Sequence, residues 1–344
     1  MSKITSMNLR NIKPTISMRR SSARMTVYPR IHMFGLDLSL QSGILRSGSM
    51  GFSLTTMPVK IRVQPADKDI IVSNYDGGDN NLPELLQKLR KYLKKDTKWK
   101  VTVTYPSAFR PHIGIGSSTQ IAGGVLHCAA TSIGTRLECN DLFMMGMGSA
   151  SMLGLSLIHA PGFIIEYGYR PTSKSTGRVL QPKLYSGYDT PTYSLLKIAS
   201  CPWYAVIGIP RKAESLSGHS EATFWAKHLP DNNQSAQATA YSVFMDCVPA
   251  LIENDFQRFT SGLNNVLKQG AKPAEEDIQS ATTKRLLKQL RDLFGVAAVS
   301  SLGPSIYAFS ENNPAKLIQS LPTSDYEFIV LPLGHSRARR ATHG

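Results

Sequence analysis

The stretch R-P-H-I-G-I-G-S-S-T-Q-I-A-G-G at 110–124, followed by the apolar V-L-H-C-A-A, constrains this chain more than any other. Gly114 and Gly116 fall between an alternating, strand-like run, K-V-T-V-T-Y-P (Lys100 to Pro106), and a helical one. Glycine loses more conformational freedom on folding than any other residue, so here it must admit something that a side chain would block. A strand–loop–helix junction leaves the first N–H groups of the helix unpaired and aimed into the loop. Those donors and the helix dipole attract an anion, and glycines let a phosphate come close to the backbone. Ser117, Ser118 and Thr119 can add hydroxyl donors. The spacing is neither G-x-G-x-x-G nor G-x-x-x-x-G-K-[ST], so the common nucleotide fingerprints do not apply. Two readings stand: a phosphate nest, and a tight turn with a Ser/Thr helix cap.

Strand candidates surround the loop. Met25 to Leu38 alternates, S-M-G-F-S-L-T-T follows, and V-K-I-R-V-Q-P (Val59 to Pro65) alternates strictly. Leu82, Leu85, Leu86, Leu89 and Leu93 make a helical stripe. Beyond Ser151 come the strand-like L-G-L-S-L-I-H, G-F-I-I-E-Y-G and W-Y-A-V-I-G-I-P, with a polar loop from Pro171 to Pro191 between them. Helical regions are expected at Ala236 to Lys268 and Thr282 to Phe294, and strands return in A-A-V-S-S-L-G-P-S-I-Y-A-F and Y-E-F-I-V-L-P-L. Strand runs mixed with helix pairs predict an α+β fold. Trp203 reads as core.

The net charge of +15 would suit a nucleic-acid binder if it were spread over a face. Its location argues otherwise. Lys3, Arg10, Lys13, Arg19, Arg20, Arg24 and Arg30 crowd the first thirty positions, and Arg337, Arg339 and Arg340 crowd the tail, which leaves the body a modest excess. Basic ends of this kind read as solvated segments, with an organellar transit peptide as a minor alternative. The expected organisation is a basic flexible N-terminus at 1–25, domains at 26–170 and 171–334, and a basic tail at 335–344. No apolar run approaches the ~20 residues that span a bilayer, so no membrane partner is expected. Cys128, Cys139, Cys201 and Cys247 include no C-x-x-C pair and no zinc spacing, and they read as buried reduced thiols in a cytoplasmic protein.

The loop P-H-I-G-I-G-S-S-T-Q resembles the phosphate loop of the GHMP kinase superfamily. Its Gln after Thr and its Pro-His before the loop are more similar to one non-kinase branch, the β-ribofuranosylaminobenzene 5′-phosphate synthases and related C-nucleoside synthases. R-I-H-M-F-G-L-D-L (30–38) resembles that family's opening motif and L-R-S-G-S-M-G-F-S-L its glycine turn. G-M-G-S-A-S-M-L-G with P-G-F-I-I-E-Y-G resembles its middle motif. E-S-L-S-G-H-S-E-A-T-F, P-A-L-I-E-N-D-F-Q-R-F-T-S-G-L-N and S-S-L-G-P-S-I-Y-A-F resemble its C-terminal half, in order. The resemblance implies a two-domain GHMP fold, with a ribosomal S5 domain 2-like N-terminal part and a ferredoxin-like C-terminal part.

It also implies chemistry: ribosyl 5-phosphate moves from phosphoribosyl pyrophosphate to the ring carbon of 4-aminobenzoate or a heteroaromatic analogue. Pyrophosphate and carbon dioxide leave, Mg2+ assists, and the enzyme is a homodimer that engages no nucleic acid. By the same resemblance, Arg30 and His32 face the sugar phosphate with Gly114, Gly116, Ser117, Ser118, Thr119 and Gln120. Asp37 is a catalytic and magnesium candidate, or else a turn-capping acid. His112 is a catalytic donor to phosphate or to the acceptor carboxylate, or else it packs at the turn. Ser151, Ser300, Ser301 and Gly303 line the acceptor pocket. Several GHMP kinases hold an acceptor-activating aspartate where this chain has Gly154, which tilts against the rival reading of an ATP-dependent kinase. Ser47 and Ser49 stand where an acid and a glycine are usual, and an arginine, a glycine and a tryptophan are usual near Met147, Met152 and Leu302. Those departures suggest a reshaped acceptor pocket.

Overall fold

Pro29 splits what the alternation of Met25 to Leu38 reads as one strand. β2 (Ala23–Val27) joins one sheet and β3 (Arg30–Gly35) another, since proline withholds the N–H that a continuous ladder needs. The computed structural model describes residues 4–7, 22–39, 48–75, 81–107, 109–110, 113–148, 151–159, 161–168, 195–198, 201–212, 219–229 and 231–333. His112, Ser47, the whole of the expected 171–191 loop and the basic tail lie outside the described residues.

Three sheets form. The first runs β1 (Ile4–Met7), β9 (Leu195–Ile198), β8 (Phe163–Glu166), β4 (Ser49–Ser53) and β3, antiparallel throughout. The second runs β2, β5 (Val59–Ala66), β7 (Lys98–Thr104) and β6 (Ile70–Ser73), with β6 parallel to β7. The third runs β11 (Ala297–Val299), β12 (Ile306–Ser310), β10 (Tyr204–Pro210) and β13 (Tyr326–Pro332). Ten α-helices are described: α1 (Leu82–Leu93), α2 (Ser117–Ser132), α3 (Cys139–Met144), α4 (Leu153–His159), α5 (His219–His228), α6 (Asn233–Tyr241), α7 (Val248–Glu253), α8 (Phe256–Val266), α9 (Lys272–Asp277) and α10 (Ala281–Phe294). A π-helical turn, Ser242–Cys247, joins α6 to α7.

Three further expectations are corrected. Residues 4–7, expected in a free basic end, pair with β9. L-G-L-S-L-I-H is helix α4 rather than a strand: Leu153 to Ile158 are all buried, so no polar face betrays the period. The first sheet takes β9 from beyond position 170, so the expected boundary falls inside a sheet.

The two halves also share a core. Ile31, Met33, Phe52 and Phe163 from the first sheet pack with Trp203, Ile207, Phe259 and Phe309 from the second half. Phe309 meets Phe52 at 5.8 Å and Phe259 at 5.1 Å, both edge-on. Such pairs contribute about 0.5–1.5 kcal/mol each beyond their buried area. This core fixes β3 against the turn between β11 and β12. On the other face of the third sheet, Val206, Ile306 and Ala308 bury Leu286, Leu287 and Leu290 of α10, as the two-residue period of a strand requires.

Candidate active site

β3 turns Ile31 and Met33 into the shared core and presents Arg30 and His32 on the opposite face, both half-buried. The glycine loop lies along that face. The Arg30 backbone N–H donates to the Ile115 carbonyl at 2.7 Å, and Ser300 Oγ donates to the Gly114 carbonyl at 2.7 Å. Ser300 Oγ in turn accepts from the His32 N–H, while the Ser301 N–H donates to the His32 carbonyl. β3, the loop and the 300–305 turn are thereby laced together.

Both loop glycines are required. Gly114 and Gly116 have φ of 85° and 53°, in the left-handed region. A Cβ on Gly114 would stand 2.7 Å from the Ser300 carbonyl oxygen, and one on Gly116 would stand 2.6 Å from Arg30 Cζ. Gly116 is the N-cap of α2, with no side chain capping the helix and no acid in its first turn. The uncapped start of a sixteen-residue helix therefore opens beside an arginine. Arg30 Nε is buried and has no partner among the described residues. Burial lowers the Arg30 guanidinium to about 10, with Glu166 and Glu221 holding it up, so it stays charged near neutrality. A buried donor without an acceptor is costly, and an anion at the start of α2 would supply one.

Behind Arg30 lies a carboxyl that sequence reasoning missed. Glu166 on β8 is fully buried and sits opposite Ser49 of β4 in the ladder. Its carboxylate accepts from Ser49 Oγ at 2.5 Å, from the Gly168 N–H at 2.6 Å and from Ser151 Oγ at 3.3 Å. Burial pushes the Glu166 carboxyl up to about 7, against the downward pull of those three donors and of Arg30. The motif P-G-F-I-I-E-Y-G held the only sequence signal: a lone acid in an apolar strand.

The other candidates separate into groups. His32 is a neutral imidazole, lowered to about 3 by burial and by the charges of Arg30 and Lys272, and its Nδ1 is buried without a partner among the described residues. Ser118 and Thr119 are half-buried at the helix start. Gln120, expected on phosphate, is buried and gives its Nε2 to the Gly154 carbonyl, tying α2 to α4. Ser117 is also buried. Ser300 and Gly303 are buried and frame the loop rather than line a pocket, whereas Ser301 is half-buried with φ of 53°. Asp37 accepts from the N–H and hydroxyl of Ser39, the turn-capping role. Among the described residues no three His, Cys, Asp or Glu side chains converge on a metal position. The four cysteines are buried free thiols and Trp203 is core, as expected. No helix among the described residues is long and apolar enough to cross a membrane.

No protein-family profile matches the chain. Curated relatives do. The chain is 24% identical over 304 residues to a β-ribofuranosylphenol 5′-phosphate synthase of Methanothermobacter thermautotrophicus, covering 84% of this chain and 88% of that protein. Proteins of the same name from Archaeoglobus fulgidus and Methanocaldococcus jannaschii are 23% and 25% identical, over 87% and 82% of this chain and 91% and 88% of theirs. Among solved structures, Streptococcus pneumoniae phosphomevalonate kinase superposes with a TM-score of 0.64 at 13% identity, covering 86% of this chain and 93% of the kinase. Homoserine kinase of Cytophaga hutchinsonii gives 0.63 at 16%, and L. major mevalonate kinase 0.63 at 13%, each over 94% of this chain and 98% and 99% of theirs. The fold is the α+β GHMP kinase fold.

Proposed function

We propose that this chain is a phosphoribosyltransferase that forms a carbon–carbon bond between C1 of ribosyl 5-phosphate and the ring of an aromatic acid. One observation carries the reading: Arg30, with a buried unpartnered Nε, lies against Gly116 at the uncapped start of α2. The relatives named for a ribofuranosylphenol phosphate product support it across most of the chain.

In this reading the donor is phosphoribosyl pyrophosphate. The α2 amides, Ser118, Thr119 and Arg30 bind its anionic end and offset charge that builds on the leaving pyrophosphate. The neutral His32 lends a hydrogen bond without adding charge. The acceptor is an aromatic acid with an amino or hydroxyl group para to the carboxylate, which enriches the carbon that attacks C1. Loss of carbon dioxide then restores aromaticity, so no side chain need remove a ring proton. Magnesium fits as a companion of the pyrophosphate, which needs only one or two protein carboxylates. Asp37, which accepts from Ser39, and Glu221 on α5, within electrostatic reach of Arg30, are the two candidate carboxylates. The four buried free cysteines suit a cytoplasmic compartment.

The kinase alternative meets an obstacle at Gly154, where kinases of this fold can hold an aspartate. A Cβ there would stand 2.8 Å from Thr119 Cγ2 and 3.2 Å from Arg30 Nε. A side chain at this position would need Thr119, and with it Arg30, to give way. Incubation with the donor, Mg2+ and a panel of amino- and hydroxybenzoic acids tests the reading. Release of pyrophosphate and carbon dioxide with a C-ribosyl product is expected, and an Arg30→Lys variant should lose most donor affinity. Formation of ADP from ATP with any of these acceptors, and no pyrophosphate from the sugar, would sink it.

A further inference from the structure

Past Gly154 the site continues into three linked oxygens. Ser151 Oγ lies 2.8 Å from Ser49 Oγ, and Ser49 Oγ lies 2.5 Å from Glu166 Oε1. A direct link from Ser151 Oγ to the same carboxylate oxygen is 3.3 Å. Ser49 and Glu166 are sealed at 1% and 0% exposure, while Ser151 is half-buried. Ser151 also accepts from the Leu153 N–H at the start of α4, one residue before Gly154, where an added Cβ would meet Thr119 and Arg30. The three groups thus form a wire whose half-buried end, Ser151, lies at the start of α4, the helix that carries Gly154.

A sealed carboxyl that ionises near neutrality can both take and return a proton at working pH. Burial puts Glu166 there. β4 faces it with Ser49, the start of α4 with Ser151, and β3 with Arg30, which is the charged group acting on it. Glu221 from α5 acts on Arg30 in turn.

We infer that Ser151, Ser49 and Glu166 are a proton relay for the ring hydroxyl of a phenolic acceptor. The inference rests on the transferase reading above. The acceptor O–H bond breaks as its proton passes to Ser151 Oγ, whose own proton moves to Glu166 directly or through Ser49. The electron pair left on the oxygen flows through the ring to the carboxyl-bearing carbon. That carbon bonds to ribose C1 while the C1–O bond breaks and pyrophosphate leaves with the pair. Carbon dioxide then departs, the freed pair restores aromaticity and returns charge to the ring oxygen, and the relay gives its proton back. Nothing is oxidised or reduced. An aniline needs no such relay, because its nitrogen can push a lone pair with both N–H bonds intact. The relay therefore selects for hydroxyl-bearing acids.

The test compares wild type and Glu166→Gln with 4-hydroxybenzoate and 4-aminobenzoate as acceptors. The substitution should cut turnover of the hydroxy acid about a hundredfold more than that of the amino acid, the scale of general acid–base catalysis. It should also remove an ionisation near neutrality from the hydroxy acid's pH–rate profile. Equal losses with both acids mean a purely structural role and overturn the relay. If wild type converts neither acid, the transferase reading fails and the relay falls with it. The carboxyl infrared band that disappears in Glu166→Gln gives a readout independent of turnover. It should titrate near neutrality in the free protein, and a band that titrates as an ordinary exposed carboxylate overturns the relay whatever the acceptor.

Discussion

Arg30 lies so close over Gly116 that a single methyl carbon there would stand 2.6 Å from the guanidinium carbon. The glycine that opens α2 and the arginine that faces it are therefore one device: φ of 53° turns the chain, and the missing side chain leaves room for the cation. Gly116→Ala attacks both functions. The left-handed conformation costs about 1–2 kcal/mol for an L-residue, and the guanidinium must shift. The expected outcome is a donor KM raised about tenfold or more, at roughly 1.4 kcal/mol per decade, with the acceptor KM little changed. Steady-state kinetics on the two substrates decide it, and equal donor KM values for variant and wild type would refute the pairing.

The loop was legible because its signals are local: alternation to Pro106, glycines at 114 and 116, then hydroxyls and an apolar run. Arg30 and His32 were legible for the same reason, since a two-residue period places them on one face. What escaped notice depends on distant pairings. Glu166 matters because β4 brings Ser49 opposite it from 117 positions away. Gln120 is withdrawn from the ligand by a carbonyl on α4, a helix that the sequence disguises as a strand by burying every side chain from 153 to 158. At Asp37 the sequence left two roles open, and the acid accepts from Ser39 within its own turn, the second of them.

Glu166 carries a stability prediction as well as a kinetic one. Its folded value of about 7 lies above the 4.5 of an unperturbed glutamate. Folding is then favoured below about pH 4.5, and that advantage is lost as pH rises through 7. The amide of Glu166→Gln does not ionise. Its stability relative to wild type should therefore improve by about 3 kcal/mol between pH 4 and pH 8, at ~1.4 kcal/mol per unit. Any fixed cost of the amide cancels in this comparison. Urea unfolding at the two pH values measures it, and a pH-independent difference would contradict the buried ionisation.

His127 of α2 and His159 of α4 meet through their Nε2 atoms at 3.1 Å with rings nearly perpendicular. Burial first, then neighbouring positive groups, lower them to about 3 and about 4, so both are neutral when folded. The unfolded chain takes up protons below about 6.5, and the folded one does not. Stability is thus complete above pH 6.5 and lost as pH falls toward 4, by about 1.4 kcal/mol per unit for each histidine. The His127→Gln/His159→Gln variant should show a flatter decline between pH 6.5 and 5 by chemical denaturation. A decline as steep as that of wild type would mean that the pair is not the source.

Lys272 and Glu275 form a buried pair at the start of α9, with Nζ to Oε2 at 2.5 Å, both under 8% exposed. Lys272 also donates to the Val299 carbonyl at 3.1 Å, one residue before the Ser300 that holds Gly114. Two consequences can be separated. Lys272→Met strands Glu275, whose carboxyl burial already pushes upward, and leaves the Val299 carbonyl unpaired, for a loss of about 3–5 kcal/mol. Lys272→Met/Glu275→Leu replaces both charges by apolar groups of similar size, and should recover most of that loss. Donor affinity should follow a different course, because neither variant restores the bond to Val299 that steadies the turn under the glycine loop. The expected pattern is stability rescued in the double variant and donor KM raised in both. If KM returned to the wild-type value together with stability, Lys272 would act on the site only through the strength of the fold.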